Sequence, residues 1–125
     1  MAFKILVVDD EQDVELLFKQ RFRKSIREGD INIDFAFSGE EALAFLHEPG
    51  STDIALILSD INMPGMTGFE LLEKVKSEYP DLKVMMISAY GDDEHTQKAM
   101  RLGADELLAK PIDFKKLEEK LLGYR

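Results

Sequence analysis

The 125-residue sequence contains no cysteine and no tryptophan. Without thiols it can form neither disulfides nor thiolate metal centres, a composition compatible with a cytoplasmic protein. No apolar run approaches the roughly 20 residues that a bilayer span needs, and no basic-then-apolar leader opens the chain. Positive charge is in short supply: 16 Lys and Arg stand against 25 Asp and Glu, for a net charge of -9. Such a surface argues against direct binding to nucleic acid or to an anionic membrane, and suits a protein partner or a metal cation. Repeats, low-complexity tracts and linkers are also missing, so residues 1–125 are expected to form one domain around its own core.

What is present is an alternation of strand-length apolar runs with helix-length amphipathic ones. Lys4 to Asp9 is expected as the first strand. Glu11 to Arg27 follows as one helix, with Val14, Leu17, Phe18, Phe22 and Ile26 at helical spacing. Gly29-Asp30 breaks it, and Asn32 to Phe37 is a more polar strand suited to a sheet edge. Ser38 and Glu41 fit a capping box for a helix to about Leu46, closed by Pro49-Gly50. The run "DIALILSD" is the third strand, ending in Asp60, and "INMPGMTG" is a loop before a helix over Phe69–Glu78. Lys83 to Ser88 is the fourth strand. Asp92, Asp93 and Glu94 suit the positive end of a helix that stops at Gly103. Leu107 to Lys110 is a short fifth strand, and Asp113 caps a last helix carrying Phe114, Leu117 and Leu121.

Five strand–helix pairs in strict alternation predict an α/β fold: a doubly wound, flavodoxin-like parallel sheet with helices on both faces. In such sheets ligands bind beyond the carboxyl ends of the strands, where the order reverses. Asp9, Asp10, Asp60, Ser88 and Lys110 all fall at those ends. With strand order 2-1-3-4-5, the three aspartates meet in one shallow pocket of summed charge about -3. Carboxylates so close do not all stay ionised without a cation. Lys110 supplies one positive charge, and oxygen-only ligands favour a hard divalent ion such as Mg²⁺ for the rest. A partly hydrated Mg²⁺ leaves room for a phosphate oxygen. A carboxylate can attack phosphorus when the transferring oxygens are neutralised, and Asp60 is the best nucleophile because it stands alone at its strand end. Ser88 offers a hydroxyl and Lys110 a point charge to the same oxygens.

The stretches "VVDDE", "SDINMPGMTGFELL", "ISAYG" and "GADELLAKPID" together resemble the receiver domain of two-component response regulators, of the chemotaxis-regulator type, over essentially the whole chain. The resemblance implies that Asp60 accepts a phosphoryl group from a histidine kinase or histidine phosphotransfer protein. It implies that Asp10, Asp60 and the backbone carbonyl of Asn62 bind Mg²⁺, with Asp9 assisting through water. Ser88 and Lys110 would contact the phosphoryl oxygens, and the Lys110–Pro111 peptide bond would be cis. One departure concerns the position three residues before the lysine, where receivers usually carry Tyr or Phe and this chain has Leu107. Tyr90, two residues after Ser88, is an aromatic near the pocket mouth and a candidate modulator of access.

Each residue alone has a plainer reading: Asp9 and Asp10 as helix caps, Asp60 as a turn residue, Ser88 as a polar strand end and Lys110 as a solvated flank. Their shared edge is what favours a site. One or both of His47 and His95 are expected at the surface, with no His partner for a metal site, and Met63, Met66, Met85, Met86 and Met100 in loop and core packing. The leading expectation is a phosphorylatable signalling module rather than a turnover enzyme. The enzyme-class rival is an aspartate-nucleophile phosphatase of the haloacid dehalogenase type, which needs an acid two residues beyond the nucleophile, where Asn62 stands. A docking-only degenerate receiver is the third option, opposed by intact Asp60, Asp10 and Lys110. A flavin or dinucleotide site is weaker still, because the glycine-free turn "DDEQD" would repel phosphate unless a metal intervened. The output partner or effector, and whether the chain is stand-alone or part of a longer regulator, stay open.

Overall fold

A computed structural model describes residues 3–48, 53–89 and 93–123. In chain order the elements are β1 (Phe3–Val8), α1 (Asp13–Arg21), α2 (Arg23–Arg27), β2 (Ile31–Ala36), α3 (Gly39–His47), β3 (Leu56–Asp60), α4 (Gly68–Glu78), β4 (Lys83–Ser88), α5 (Asp93–Arg101), β5 (Glu106–Ala109) and α6 (Phe114–Gly123). All strand pairs are parallel and the order is β2-β1-β3-β4-β5, as expected. The polar strand β2 lies at an edge.

Alternation along the strands divides the core into two layers. Leu6, Val8, Ile57, Val84 and Met86 face α3, α4 and α5, where they meet Ala42, Leu71, Leu72, Val75 and Ala99. Ile5, Val7, Leu56, Leu58, Met85 and Ile87 face the other way, against Phe18, Phe22, Leu117 and Leu121. The second layer is aromatic at its centre. Phe18 stacks on Phe22 at 5.9 Å and meets the edge of Phe114 at 5.2 Å. Burying a ring of that size stabilises the fold by on the order of 2–3 kcal/mol.

The single helix expected over Glu11–Arg27 is two helices. Phe22 leaves helical geometry (φ -102°, ψ 15°), while its N–H still donates to Phe18 O and its carbonyl accepts from Ile26 N–H, both at 2.9 Å. The kink keeps the Phe22 ring buried between Phe18 and Phe114 as the chain turns toward β2. Apolar spacing continues through both pieces, so periodicity alone could not register it.

Helix ends follow local chemistry. Ser38 Oγ accepts from Glu41 N–H at 3.0 Å, but the return bond of the expected capping box is not made there. The complete box forms at Thr67–Glu70, which opens α4. Asp113 Oδ1 accepts from Lys115 N–H and Lys116 N–H, as its capping role requires. Gly103, at φ 103°, ends the α5 segment in a conformation that favours glycine. The Pro49-Gly50 stop and Asp92 lie outside the described residues. No helix among those described is long and apolar enough to cross a membrane.

Candidate phosphoacceptor site

The carboxyl edge of the sheet gathers the chemistry. β1 ends at Val8, so Asp9 and Asp10 begin the turn into α1, while Asp60 closes β3 and Ser88 closes β4. Lys110 follows β5, and its N–H donates to Ser88 O at 2.8 Å. Asp60 pairs in register with Ile87, so Ser88 lies one residue further out on the neighbouring strand. One carboxylate oxygen from each of Asp9, Asp10 and Asp60 falls within 4.8 Å of the others, the convergence that strand order 2-1-3 demanded.

Burial and hydrogen bonds distinguish the three acids. Asp60 is only 4% exposed; its Oδ2 accepts from Lys110 Nζ at 2.9 Å and its Oδ1 from Asn62 N–H at 3.3 Å. Asp9 is 5% exposed, accepts from Glu11 N–H at 2.9 Å, and lies 4.0 Å from Lys110 Nζ. The plainer reading of Asp9 and Asp10 as helix caps is not met: the N-cap of α1 is Gln12, without a side-chain bond, and Asp9 instead closes the turn before the helix. Asp10 is exposed.

Burial pushes the Asp9 carboxyl up to about 6; the negative charges of Asp60 and Asp10 act in the same direction, and the Glu11 N–H and Lys110 only partly oppose them. For Lys110, burial works against the charged form, but its hydrogen bond to Asp60 and the charges of Asp60, Asp9 and Glu11 outweigh it and raise the ammonium above its ordinary value. One lysine thus faces three carboxylates, and one of the acids holds its proton unusually tightly. A donor set made of oxygens and short of positive charge fits a hard divalent cation.

The other expected residues fall as follows. Asn62 is exposed at the start of the loop after β3 and touches Asp60 through its backbone. Ser88 is buried at its strand end. Leu107 is half-buried in β5, pairs with Met86, and packs on the layer beneath α3, α4 and α5. The Lys110–Pro111 bond is cis. Tyr90 lies outside the described residues. His47 is exposed and bonded to Glu78 at 2.7 Å, whereas His95 is half-buried and stacked on Phe69 at 6.1 Å, so one of the two histidines lies at the surface, as expected. Met63, Met85 and Met86 are buried and Met66 is half-buried, but Met100 is 50% exposed on the outer side of α5 and belongs to no core. A groove of about 600 Å³ opens beside Asp9 and Lys110, between α1 and the start of α6.

Two supports of the site escaped sequence reasoning. Gly68, first residue of α4, donates its N–H to Ile61 O at 2.8 Å and lies so close to the Asp60 carbonyl that a Cβ there would overlap it. Glu40, in the first turn of α3, accepts from Met66 N–H at 3.1 Å across 26 residues of sequence. The "PGMTG" composition signals a loop, but nothing local in it announces a contact with α3.

Comparison with known proteins agrees with this geometry. Residues 5–122 match the family model described as "Response regulator receiver domain". The chemotaxis protein CheY of Treponema pallidum is 35% identical over 119 residues, which cover 95% of this chain and 80% of that protein. The response regulator protein FleR of Pseudomonas aeruginosa is 33% identical over 117 residues; these span 94% of this chain but 23% of FleR. The solved structure of Vibrio cholerae chemotaxis protein CheY4 superposes with a TM-score of 0.84 at 28% identity, covering all of both chains.

Proposed function

This chain belongs to the response regulator receiver family, and from that premise we propose that Asp60 accepts a phosphoryl group from a histidine kinase or a histidine phosphotransfer protein, with Mg²⁺ as cofactor, and that the altered surface is read by a downstream partner or effector. On this reading residues 1–125 act as one cytoplasmic receiver domain. The observation that carries it is the Asp60 carboxylate, nearly fully buried, held by Lys110 at 2.9 Å and adjoining Asp9 and Asp10 at the open end of the sheet.

The chemistry is an in-line displacement. A carboxylate oxygen of Asp60 forms the new O–P bond as the P–N bond to the donor imidazole breaks, and the electron pair returns to that nitrogen. Lys110 then donates to the transferred phosphoryl oxygens in place of the carboxylate, and Ser88 offers its hydroxyl from the adjacent strand. Asp10, Asp60 and the Asn62 carbonyl would hold Mg²⁺, with Asp9 assisting through water. When bound, the ion supplies the neutralisation of phosphoryl charge that one lysine against three carboxylates cannot. A phosphatase of the haloacid dehalogenase type would need an acid at position 62 to protonate a leaving group, and Asn62 cannot serve. The chain therefore acts as a phosphoacceptor, at most catalysing its own phosphorylation from small donors and its own dephosphorylation.

Incubation with acetyl phosphate and Mg²⁺, followed by intact-mass measurement, tests this reading. One added phosphoryl group is expected, lost when EDTA is present and lost in Asp60→Asn. Equal labelling of the Asp60→Asn protein would overturn it.

A further inference from the structure

The loop from Ile61 to Thr67 carries Asn62 beside the phosphoacceptor; its ends are held by Asn62 N–H on Asp60 Oδ1 and by the Thr67–Glu70 capping box, and Met63 is buried in the core. At its base, Gly68 N–H closes on Ile61 O at 2.8 Å. Its far end is tied to a different element, because Glu40 Oε1 accepts from Met66 N–H at 3.1 Å. Two further contacts show that the loop lies down on α3 rather than touching it at one atom. Gly65, at φ 74°, presents its backbone to the same carboxylate, so that a Cβ there would sit 3.3 Å from Glu40 Oε2. The Met66 side chain lies over Gly39, where a Cβ would meet its sulfur at 2.8 Å and its own Cβ at 3.0 Å. Without the Glu40 bond the stretch from Pro64 to Met66 keeps only side-chain packing on α3, and its movement is passed through Met63 to the neighbouring Asn62 carbonyl.

We propose that Glu40 is a positioning residue for the phosphoacceptor site: its carboxylate pins the tip of this loop to α3 and thereby fixes the backbone of Asn62 relative to Asp60. This rests on the reading of Asp10, Asp60 and the Asn62 carbonyl as the Mg²⁺ site. Glu40 is not a member of the Asp9, Asp10 and Asp60 cluster; its bond is to the Met66 backbone. The hydrogen bond, and not the negative charge, is what matters, so glutamine at position 40 should substitute for glutamate while alanine should not.

The test compares wild type, Glu40→Ala and Glu40→Gln by amide hydrogen exchange and by Mg²⁺ titration followed through amide chemical shifts. In Glu40→Ala the Met66 amide should exchange faster and Mg²⁺ should bind roughly three- to tenfold more weakly, the range expected from losing one hydrogen bond. Thermal stability should fall only slightly, because Glu40 is exposed. Glu40→Gln should behave as wild type in all respects. If Glu40→Ala binds Mg²⁺ as tightly as wild type, the positioning role is overturned while the metal site stands. If Glu40→Gln weakens binding as much as Glu40→Ala, charge rather than the clamp is responsible, and the proposal again fails. Absence of Mg²⁺ binding by wild type would instead overturn the reading of the site, and this inference with it.

Discussion

Adding a single methyl group at Gly68 should damage this protein even though alanine is the better helix former. In α4 the exchange gains about 1 kcal/mol of helix propensity at most. Against that, the new Cβ would overlap the Asp60 carbonyl oxygen and lie 2.7 Å from Ile61 Cα and 2.9 Å from Met86 Cε. Two of the three obstacles are backbone, which cannot rotate away, so relief requires moving α4 off the end of β3. Overpacking of this kind costs about 1–3 kcal/mol and sits at the upper end where backbone is involved. The net expectation is a loss of about 2 kcal/mol, or a fall of roughly 6–10 °C in Tm for a domain this size. Far-UV circular dichroism in a urea titration measures it without tryptophan. Gly123→Ala is the matched control, since nothing lies within 4 Å of a Cβ there and α6 should be unchanged or stabilised by up to about 0.5 kcal/mol. Because the displaced atoms belong to Asp60 and Ile61, acetyl phosphate labelling of Gly68→Ala should also slow several-fold under folded conditions. A Gly68→Ala protein as stable as wild type, labelled at the same rate, would refute the close-packing argument.

Three other outcomes follow from the site. Lys110→Ala removes the 2.9 Å contact to Asp60, so the metal-free protein should lose on the order of 1–2 kcal/mol in a denaturant titration, while calorimetry should show Mg²⁺ binding as tightly as in wild type or more tightly. The Asp9 carboxyl, with burial raising it to about 6, must lose its proton to meet a cation, so Mg²⁺ affinity should fall about tenfold from about pH 7 to about pH 5. The folded metal-free chain keeps this proton after the unfolded chain has released it, so its stability should fall as pH rises from about 4 to about 6, and denaturation of Asp9→Asn should lack that slope. Ser88→Ala should abolish most of the amide-shift change that beryllofluoride induces from Ser88 into the start of α5, whereas Leu107→Ala, which trims a half-buried side chain, should lower stability more than it alters that response.

How far the sequence revealed this arrangement depends on the range of the interactions. β3 and β4 were plain because a strand buried on both faces is largely apolar along its length, and the aspartate that ends β3 marks the sheet's open edge. Once β1 and β3 were neighbours, the meeting of Asp9, Asp10 and Asp60 followed from topology alone. The kink at Phe22 was hidden because aromatic packing with Phe18 and Phe114, set by tertiary structure, bends a segment whose apolar spacing never changes. Ser38–Glu41 and Thr67–Glu70 share the capping-box pattern, yet only the second closes both bonds. Glu40 was invisible for a different reason: in sequence it is one acid among several opening a helix, and its partner is the backbone of a distant loop. Met100 failed in the opposite sense, since its hydrophobicity suggested packing while its position on α5 faces solvent.

The central claim is that Asp60, and no other acid of the cluster, carries the phosphoryl group. Labelling with acetyl phosphate in Mg²⁺, reduction of the acyl phosphate with borohydride, and tandem mass spectrometry locate the modified residue directly, because the reduced aspartate becomes homoserine. The account predicts homoserine at position 60 alone. Homoserine at position 9 or 10, or an unmodified position 60 in protein that has gained a phosphoryl group, would contradict it.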